Sequence, residues 1–187
     1  MGILLNSGNT EFEEAVNAEI YVDKTLLIEY ANRVLRTPQK YICVSRPRRF
    51  GKSMAANMLT AYYSKGCDSR ELFSPYKISK SDSFEKHLNK YNVIHINMVE
   101  YLTEAKSIEN LIKYIEDDII GDITDSMPEL VMPRRISLTK VLTSAFNQFK
   151  IPFIFIIDEW DCIFRKSSIK SEEYTMYLDF LRTLLKD

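Results

Sequence analysis

The sequence predicts one α/β domain in which helices lie on both faces of a parallel sheet. Residues 153–157 form a continuous β-branched and aromatic run, which is typical of a strand buried on both faces of such a sheet. Residues 92–98 alternate apolar and polar side chains, the pattern of a second strand. Amphipathic segments with helical spacing precede, separate and follow these runs. This alternation of helices and strands is typical of a three-layer α/β sandwich.

The N-terminal half is expected to contribute three helices and one further strand. Residues 23–35 predict a helix with Asp23 as its N-cap and apolar side chains along one face. Residues 41–44 are rich in β-forming side chains and predict a short strand, which a loop joins to a helix over residues 51–64. A short helix is predicted over residues 81–90.

The C-terminal half continues the alternation of helices and strands. An apolar stripe at helical spacing predicts a helix over residues 107–120, ended by Gly121. A helix over residues 138–149 precedes the 153–157 strand, and another is predicted over residues 172–186. With no internal repeat or linker-like stretch, residues 1–187 are expected to form a single domain.

Composition and charge exclude several classes of protein. The chain is 45% hydrophobic and 12% aromatic, which argues against disorder. Its 25 basic and 26 acidic residues give a net charge of -1, so it lacks the basic excess of proteins that coat nucleic acid or anionic lipid. The longest uncharged apolar run, residues 151–157, is far too short for a membrane helix.

The cysteines and the N-terminus favour a cytoplasmic protein. The first six residues carry too short an apolar run for a secretory signal. The three cysteines follow no metal-binding spacing and cannot all pair, so reduced thiols are expected. Both histidines, His87 and His95, are expected to be structural or surface residues, since they match no metal or catalytic pattern.

Residues 45–53 read Ser-Arg-Pro-Arg-Arg-Phe-Gly-Lys-Ser, and the last three complete the ending of a P-loop between a strand and a helix. In that motif, the loop and the helix N-terminus point backbone N–H groups into one concavity that favours phosphate. Gly51 would let the backbone approach the phosphate, and Lys52 would reach the terminal phosphates. The Ser53 hydroxyl would ligate Mg²⁺. Arg46 replaces the usual first glycine of the motif.

The predicted nucleotide-binding residues extend along this loop into the helix. They are Arg48, Arg49, Phe50, Gly51, Lys52, Ser53 and Met54. The arginine cluster, which includes Arg46, has several possible roles: to neutralise triphosphate charge, to bind an acidic partner, or to contact nucleic-acid phosphates. Pairing of one or two of these arginines with local carboxylates, such as Asp158 or Asp161, is an equally good interpretation.

The second motif is the 154–159 segment, in which four apolar residues precede two carboxylates. This is the Walker B pattern, and it follows the P-loop by about a hundred residues. Asp158 at the end of the strand is predicted to hold Mg²⁺ beside Ser53. Glu159 is predicted to orient and deprotonate an attacking water, and Glu159 and Lys52 are therefore the candidate catalytic residues. A strand that merely ends in an acidic loop is the alternative for this motif alone.

Three segments carry a resemblance to a known family. Residues 21–25, 45–53 and 157–161 (YVDKT, SRPRRFGKS and IDEWD) resemble motifs of the bacterial AAA-ATPase-like family of predicted P-loop proteins. Arg46 is normal in that family. The resemblance implies an ATP-binding fold of the additional-strand class, with ATP and Mg²⁺ as cofactors. Asp23 is expected to cap a helix rather than to contact the nucleotide.

Three functions remain open at this stage. The leading hypothesis is an ATP-binding domain with Mg²⁺-dependent ATP hydrolysis, coupled to a partner protein or a nucleic acid. The alternative is a binding or regulatory module that does not hydrolyse ATP. A third interpretation, based on the family and the arginine cluster, is an accessory protein that contacts nucleic acid in mobile-element or defence systems.

The additional-strand class raises a problem of length. Its extra strand follows the Walker B strand in sequence and lies between that strand and the P-loop strand, but here only the 172–186 helix follows Asp158. We therefore expect a truncated fold without the sensor strand and the later strands. Its sheet is expected to be completed by direct pairing of 41–45 with 153–157, by a second copy of the chain, or by a partner.

Overall fold

A computed structural model describes residues 2–45, 47, 49–166 and 169–185 of the chain, so Arg46 and Arg48 lie outside the described residues. The helices are α1 (Thr10–Val16), α2 (Leu26–Val34), α3 (Lys52–Tyr63), α4 (Arg70–Phe73), α5 (Phe84–His87), α6 (Met98–Glu104), α7 (Ile108–Ser126), α8 (Leu138–Phe149) and α9 (Ser171–Leu185), with short 3-10 turns at Lys77–Lys80 and Cys162–Arg165. The strands are β1 (Asn92–Asn97) and β2 (Phe153–Asp158).

The two strands form a parallel sheet. Asn92 of β1 faces Phe153 of β2, and the register continues to the pair of Asn97 and Asp158. On its other side β1 is lined by the N-terminal segment, in which Leu5 forms an antiparallel bridge with Ile94. The sequence did not predict this N-terminal contribution to the sheet.

Helices cover both faces of the sheet, which gives the predicted three layers. The side chains of Ile94 and Ile96 join a hydrophobic cluster with α6, α7, α8 and α9. The side chains of Val93 and Ile156 join a second cluster with α1, α2, α3 and the short helices before β1. The alternation of side chains along β1 therefore serves two separate cores, as the strand period of two requires.

The prediction of a strand over residues 41–44 is wrong. Residues 41–45 belong to neither strand of the sheet, and they do not pair with β2 as one of the three expectations held. Tyr41, Ile42 and Val44 are 55%, 41% and 44% exposed. A strand needs a neighbour to accept its backbone hydrogen bonds. Within the described residues no strand lies between this segment and β2.

The expectation that β2 is buried on both faces is also wrong. Only Ile156 of this strand is buried, and the other five residues are half-buried. Within the described residues β2 pairs with β1 alone, so its other edge is not covered by a strand. The apolar run over residues 153–157 is thus typical of a central strand, although β2 lies at the edge of the described sheet.

Several helix boundaries differ from the prediction for local reasons. Helix α2 begins three residues late, because Asp23 forms a turn with Thr25 instead of capping the helix. Helix α7 continues through Gly121 to Ser126, since Ile123 extends its buried stripe. The helix predicted over residues 81–90 is shorter in the structure, where only α5 (Phe84–His87) is helical.

No helix in the described part of the chain is long and apolar enough to cross a membrane.

Candidate active site

The N-terminus of α3 lies at the edge of the sheet where the strands end. The C-terminal end of α3 is fixed beside the start of β1, where Tyr91 donates its N–H to the Tyr63 carbonyl (3.0 Å) and Lys65 donates to the Tyr91 carbonyl (2.7 Å). Helix α3 packs along both strands, and its 12 residues span about 18 Å, close to the length of a six-residue strand. Its first residues, Lys52 and Ser53, therefore lie toward the carboxyl ends of β1 and β2.

The chain enters α3 through a left-handed turn. Gly51 is the N-cap residue of this helix with φ +74°, and Arg49 has φ +68°. A side chain at position 51 would also be crowded, because an ideal Cβ there would lie 2.8 Å from Nζ of Lys24. The positive φ favours glycine at position 51, whereas the contact alone would require only that the flexible end of the Lys24 side chain move aside.

Lys24 is the residue that sequence reasoning missed at this site. Its Nζ donates a hydrogen bond of 2.7 Å to the carbonyl oxygen of Phe50, the residue before Gly51. The 21–25 motif contains Lys24, but nothing in the sequence indicates which loop the lysine reaches. Only the fold, which brings together residues 26 positions apart, shows the contact.

Two carboxylates follow the end of β2. Asp158 is the last residue of the strand, and its Oδ1 accepts the backbone N–H of Glu159 at 2.9 Å. Glu159 then adopts φ +53°, which is uncommon for a residue with a side chain. Both residues thus lie at the carboxyl end of β2, the end of the sheet toward which the start of α3 points.

Arg165 connects two acidic residues of this edge. Its guanidinium forms an ion pair with Glu159, and it also contacts Oδ1 of Asp161 at 3.1 Å. The hydrogen bond to Glu159 is the main reason that the pKa of Arg165 is raised above its ordinary value. One interpretation of the sequence paired the loop arginines with Asp158 or Asp161. Among the described residues, the arginine that pairs with Asp161 comes from the 3-10 turn after β2.

A family model described as "Predicted AAA-ATPase" matches residues 7–187. The chain belongs to this AAA-ATPase-like family. A comparison with curated proteins finds no match, and neither does a comparison with solved structures. The family assignment supports a nucleotide-binding P-loop domain, and the observed α/β fold is consistent with an incomplete form of that fold.

The AAA-ATPase-like chain brings most of its predicted site residues to one sheet edge. Lys52, Ser53 and Met54 are the first three residues of α3, and Phe50 lies before it with a side chain that is 61% exposed. Asp158 and Glu159 come from the end of β2. Arg48 was predicted to bind nucleotide and lies outside the described residues.

The donor atoms at this edge suit a magnesium ion. Mg²⁺ prefers hard oxygen ligands and usually keeps several waters, with one or two protein ligands plus substrate phosphates. The hydroxyl of Ser53 and the carboxylate of Asp158 are ligands of that kind. Among the described residues no group of three or more His, Cys, Asp or Glu side chains could hold a metal. A magnesium ion held by these two side chains would take its remaining ligands from water and from substrate phosphates.

Proposed function

We propose that this AAA-ATPase-like chain binds ATP with Mg²⁺ at the carboxyl edge of its sheet and hydrolyses it when the sheet is complete. One observation carries the proposal: Gly51 turns the chain into α3, which starts toward the carboxyl ends of the strands, where β2 ends in Asp158 and Glu159 follows. Helix N-termini bind anions, and carboxylates at a strand end hold the accompanying cation. The family assignment supports the same reading.

Each residue has a defined role in this proposal. The backbone N–H groups of the 49–54 segment bind the phosphates, together with Arg48. Lys52 contacts the terminal phosphates, and Ser53 and Asp158 would hold Mg²⁺, which supplies charge neutralisation when bound. Glu159 accepts a proton from the attacking water.

The side of β2 that no described strand covers favours a partner that completes the sheet and the site. Residues 41–45 and the half-buried β2 both carry apolar side chains, and no described strand pairs with either on this side. A strand added to the open side of β2 would satisfy the unpaired backbone groups of β2, as in recognition by strand addition. We propose that a second copy of the chain or a partner protein supplies this strand.

A second candidate function is a module that binds nucleotide without hydrolysing it. The ion pair between Arg165 and Glu159 favours it, because a base held by a guanidinium is turned away from proton transfer. In this case, ATP would act only as a ligand that stabilises one form of the chain.

Nucleotide binding and turnover distinguish these functions. MgATP is expected to raise the thermal unfolding temperature of the wild-type chain, and Lys52→Ala should abolish the shift. Lys113→Met, an exposed lysine on α7, serves as the matched control and should retain the full shift. Glu159→Gln should keep the shift and lose hydrolysis.

Other results would exclude parts of the proposal. A shift that persists in Lys52→Ala would contradict a phosphate site at the start of α3. Hydrolysis that survives in Glu159→Gln would exclude Glu159 as the base without affecting the binding assignment. Binding with no turnover in the wild-type chain, alone and at high protein concentration, would favour the non-hydrolysing module.

A further inference from the structure

We propose that Lys24 is a positioning residue of the nucleotide site, which fixes the peptide between Phe50 and Gly51. The inference rests on the proposed function and adds a residue outside the 45–53 loop to it. Nζ of Lys24 donates a 2.7 Å hydrogen bond to the Phe50 carbonyl, and the same nitrogen packs closely against Gly51.

Lys24 stands on a turn that is fixed at both ends. Oδ1 of Asp23 accepts the backbone N–H of Thr25 at 2.8 Å and its hydroxyl at 2.6 Å. Oδ2 of the same carboxylate accepts the N–H of Lys77 at 3.1 Å, and the Thr25 hydroxyl oxygen accepts the N–H of Ile78 at 3.2 Å. Thr25 is fully buried. The backbone of Lys24 is therefore held between two anchored neighbours.

The bond to Phe50 determines where the next N–H points. A trans peptide is planar, and its C=O and N–H point in opposite directions. Because the ammonium of Lys24 holds the Phe50 carbonyl, the N–H of Gly51 is directed to the opposite side of the loop. Lys24 thus acts from behind the loop, through the peptide, and is not itself a phosphate ligand.

The loop needs such a support because its backbone angles are unusual. Arg49 and Gly51 both have positive φ, and these two residues flank Phe50. The side chain of Phe50 is 61% exposed, so little packing fixes this residue from its own side. A charge-assisted hydrogen bond from a cation to a carbonyl is about twice as strong as a neutral one and can supply the missing restraint.

The test compares Lys24→Met, Lys24→Arg and the control Lys113→Met in the full chain. Two quantities are measured: the affinity for MgATP and the rate of amide hydrogen exchange in residues 50–54. We expect Lys24→Met to lower the MgATP affinity about tenfold and to speed the exchange of these amides. Lys24→Arg, which keeps the charged donor, should restore a large part of both values, and Lys113→Met should change neither.

The two readouts separate this inference from the proposed function. If the wild-type chain fails to bind MgATP, the proposed function fails, while the exchange rates still show whether Lys24 holds the loop. Wild-type affinity and wild-type exchange in Lys24→Met would overturn the inference. So would a failure of Lys24→Arg to restore either value, because the effect would then be due to lost packing of the lysine side chain.

Discussion

The guanidinium of Arg165 forms an ion pair with the carboxylate of Glu159, the residue proposed as the catalytic base. The pair joins the 3-10 turn after β2 to the end of the strand, and the contact with Asp161 holds the arginine from a second side. Both partners are partly exposed, so the pair can open at modest cost. Its opening is the step that would release Glu159 toward a bound water.

Arg165→Met is expected to raise the rate of ATP hydrolysis about two- to fivefold. Opening a partly exposed ion pair costs up to about 1 kcal/mol, and the variant removes that cost. Single-turnover hydrolysis under saturating MgATP measures the effect. Arg182→Met is the control, because Arg182 pairs with Asp179 on the surface of α9. A slower reaction in Arg165→Met with unchanged nucleotide affinity would show instead that Arg165 positions Glu159 for catalysis.

Val44→Lys is expected to change the free energy of unfolding by no more than about 0.5 kcal/mol, because Val44 is exposed and lies outside the sheet. Ile94→Lys, a fully buried position in β1, should cost more than about 3 kcal/mol or prevent folding. Urea denaturation of both variants measures the difference. Strong destabilisation by Val44→Lys would mean that the 41–45 segment is part of the core in solution.

The sequence predicts the sheet better than it predicts the position of each strand within it. The alternation over residues 92–98 and the apolar run over 153–157 identify β1 and β2 correctly, since both strands pack their side chains against helices. Residues 41–44 also have strand propensity, but they form no strand in the structure. A strand forms only where a neighbour is present to pair with it, and local sequence carries no information about that neighbour.

The candidate site likewise combines local features, which the sequence predicts, with contacts between distant segments, which it does not. The start of α3 and the end of β2 follow from local motifs, because a glycine before a helix and acidic residues after a strand are readable from sequence. The contacts of Lys24 with Phe50 and of Arg165 with Glu159 depend on how separate segments meet. Whether the motif residues bind and hydrolyse ATP stays a prediction.

Asp23→Ala is expected to destabilise the fold by about 1–2 kcal/mol at pH 7, because it removes the acceptor of three hydrogen bonds. Burial by itself raises the pKa of Asp23, but the bonds from Thr25 and Lys77 outweigh it and lower the pKa below its ordinary value. The stabilisation is therefore present above about pH 4 and is lost as the pH falls through the folded-state pKa.

The measurement for Asp23 is urea denaturation at several pH values. The difference in unfolding free energy between the wild type and Asp23→Ala should shrink as the pH falls below about 4, because the unfolded chain then binds a proton more readily than the folded carboxylate does. Asp82→Ala, an exposed position, provides the control and should have little effect at any pH. A difference that stays constant down to pH 2 would contradict the role of the charged carboxylate.

Asp122→Ala is expected to release the N-terminal segment from the sheet. The Asp122 carboxylate accepts the backbone N–H groups of Ile3, Leu4 and Leu5 at 3.1, 2.6 and 2.9 Å. Loss of this acceptor should cost about 2–3 kcal/mol of unfolding free energy and accelerate amide exchange over residues 3–6. Asp125→Ala, an exposed position on the same helix, should leave both values unchanged. Slow exchange in Asp122→Ala would show that the bridge of Leu5 to Ile94 suffices.

His95→Gln is expected to flatten the pH dependence of stability between about pH 7 and pH 5. Burial lowers the pKa of His95 below its ordinary value, although the carboxylates of Glu11, Asp158 and Glu100 act in the opposite direction. The unfolded chain, with a histidine pKa near 6.5, therefore takes up the proton first. The stability of the wild type falls as the pH drops below that value, by at most about 1.4 kcal/mol per pH unit for one proton.

Urea denaturation at half-unit pH steps tests this dependence. His87 provides the comparison, because burial lowers its pKa too and its Nδ1 lies 2.6 Å from the Tyr91 hydroxyl. Each single glutamine variant should remove part of the slope, and the double variant should remove more than either one. If His95→Gln keeps the full wild-type pH dependence of the unfolding free energy, His95 takes up its proton equally well in the folded and unfolded states. Burial of His95 would then not destabilise the fold at low pH.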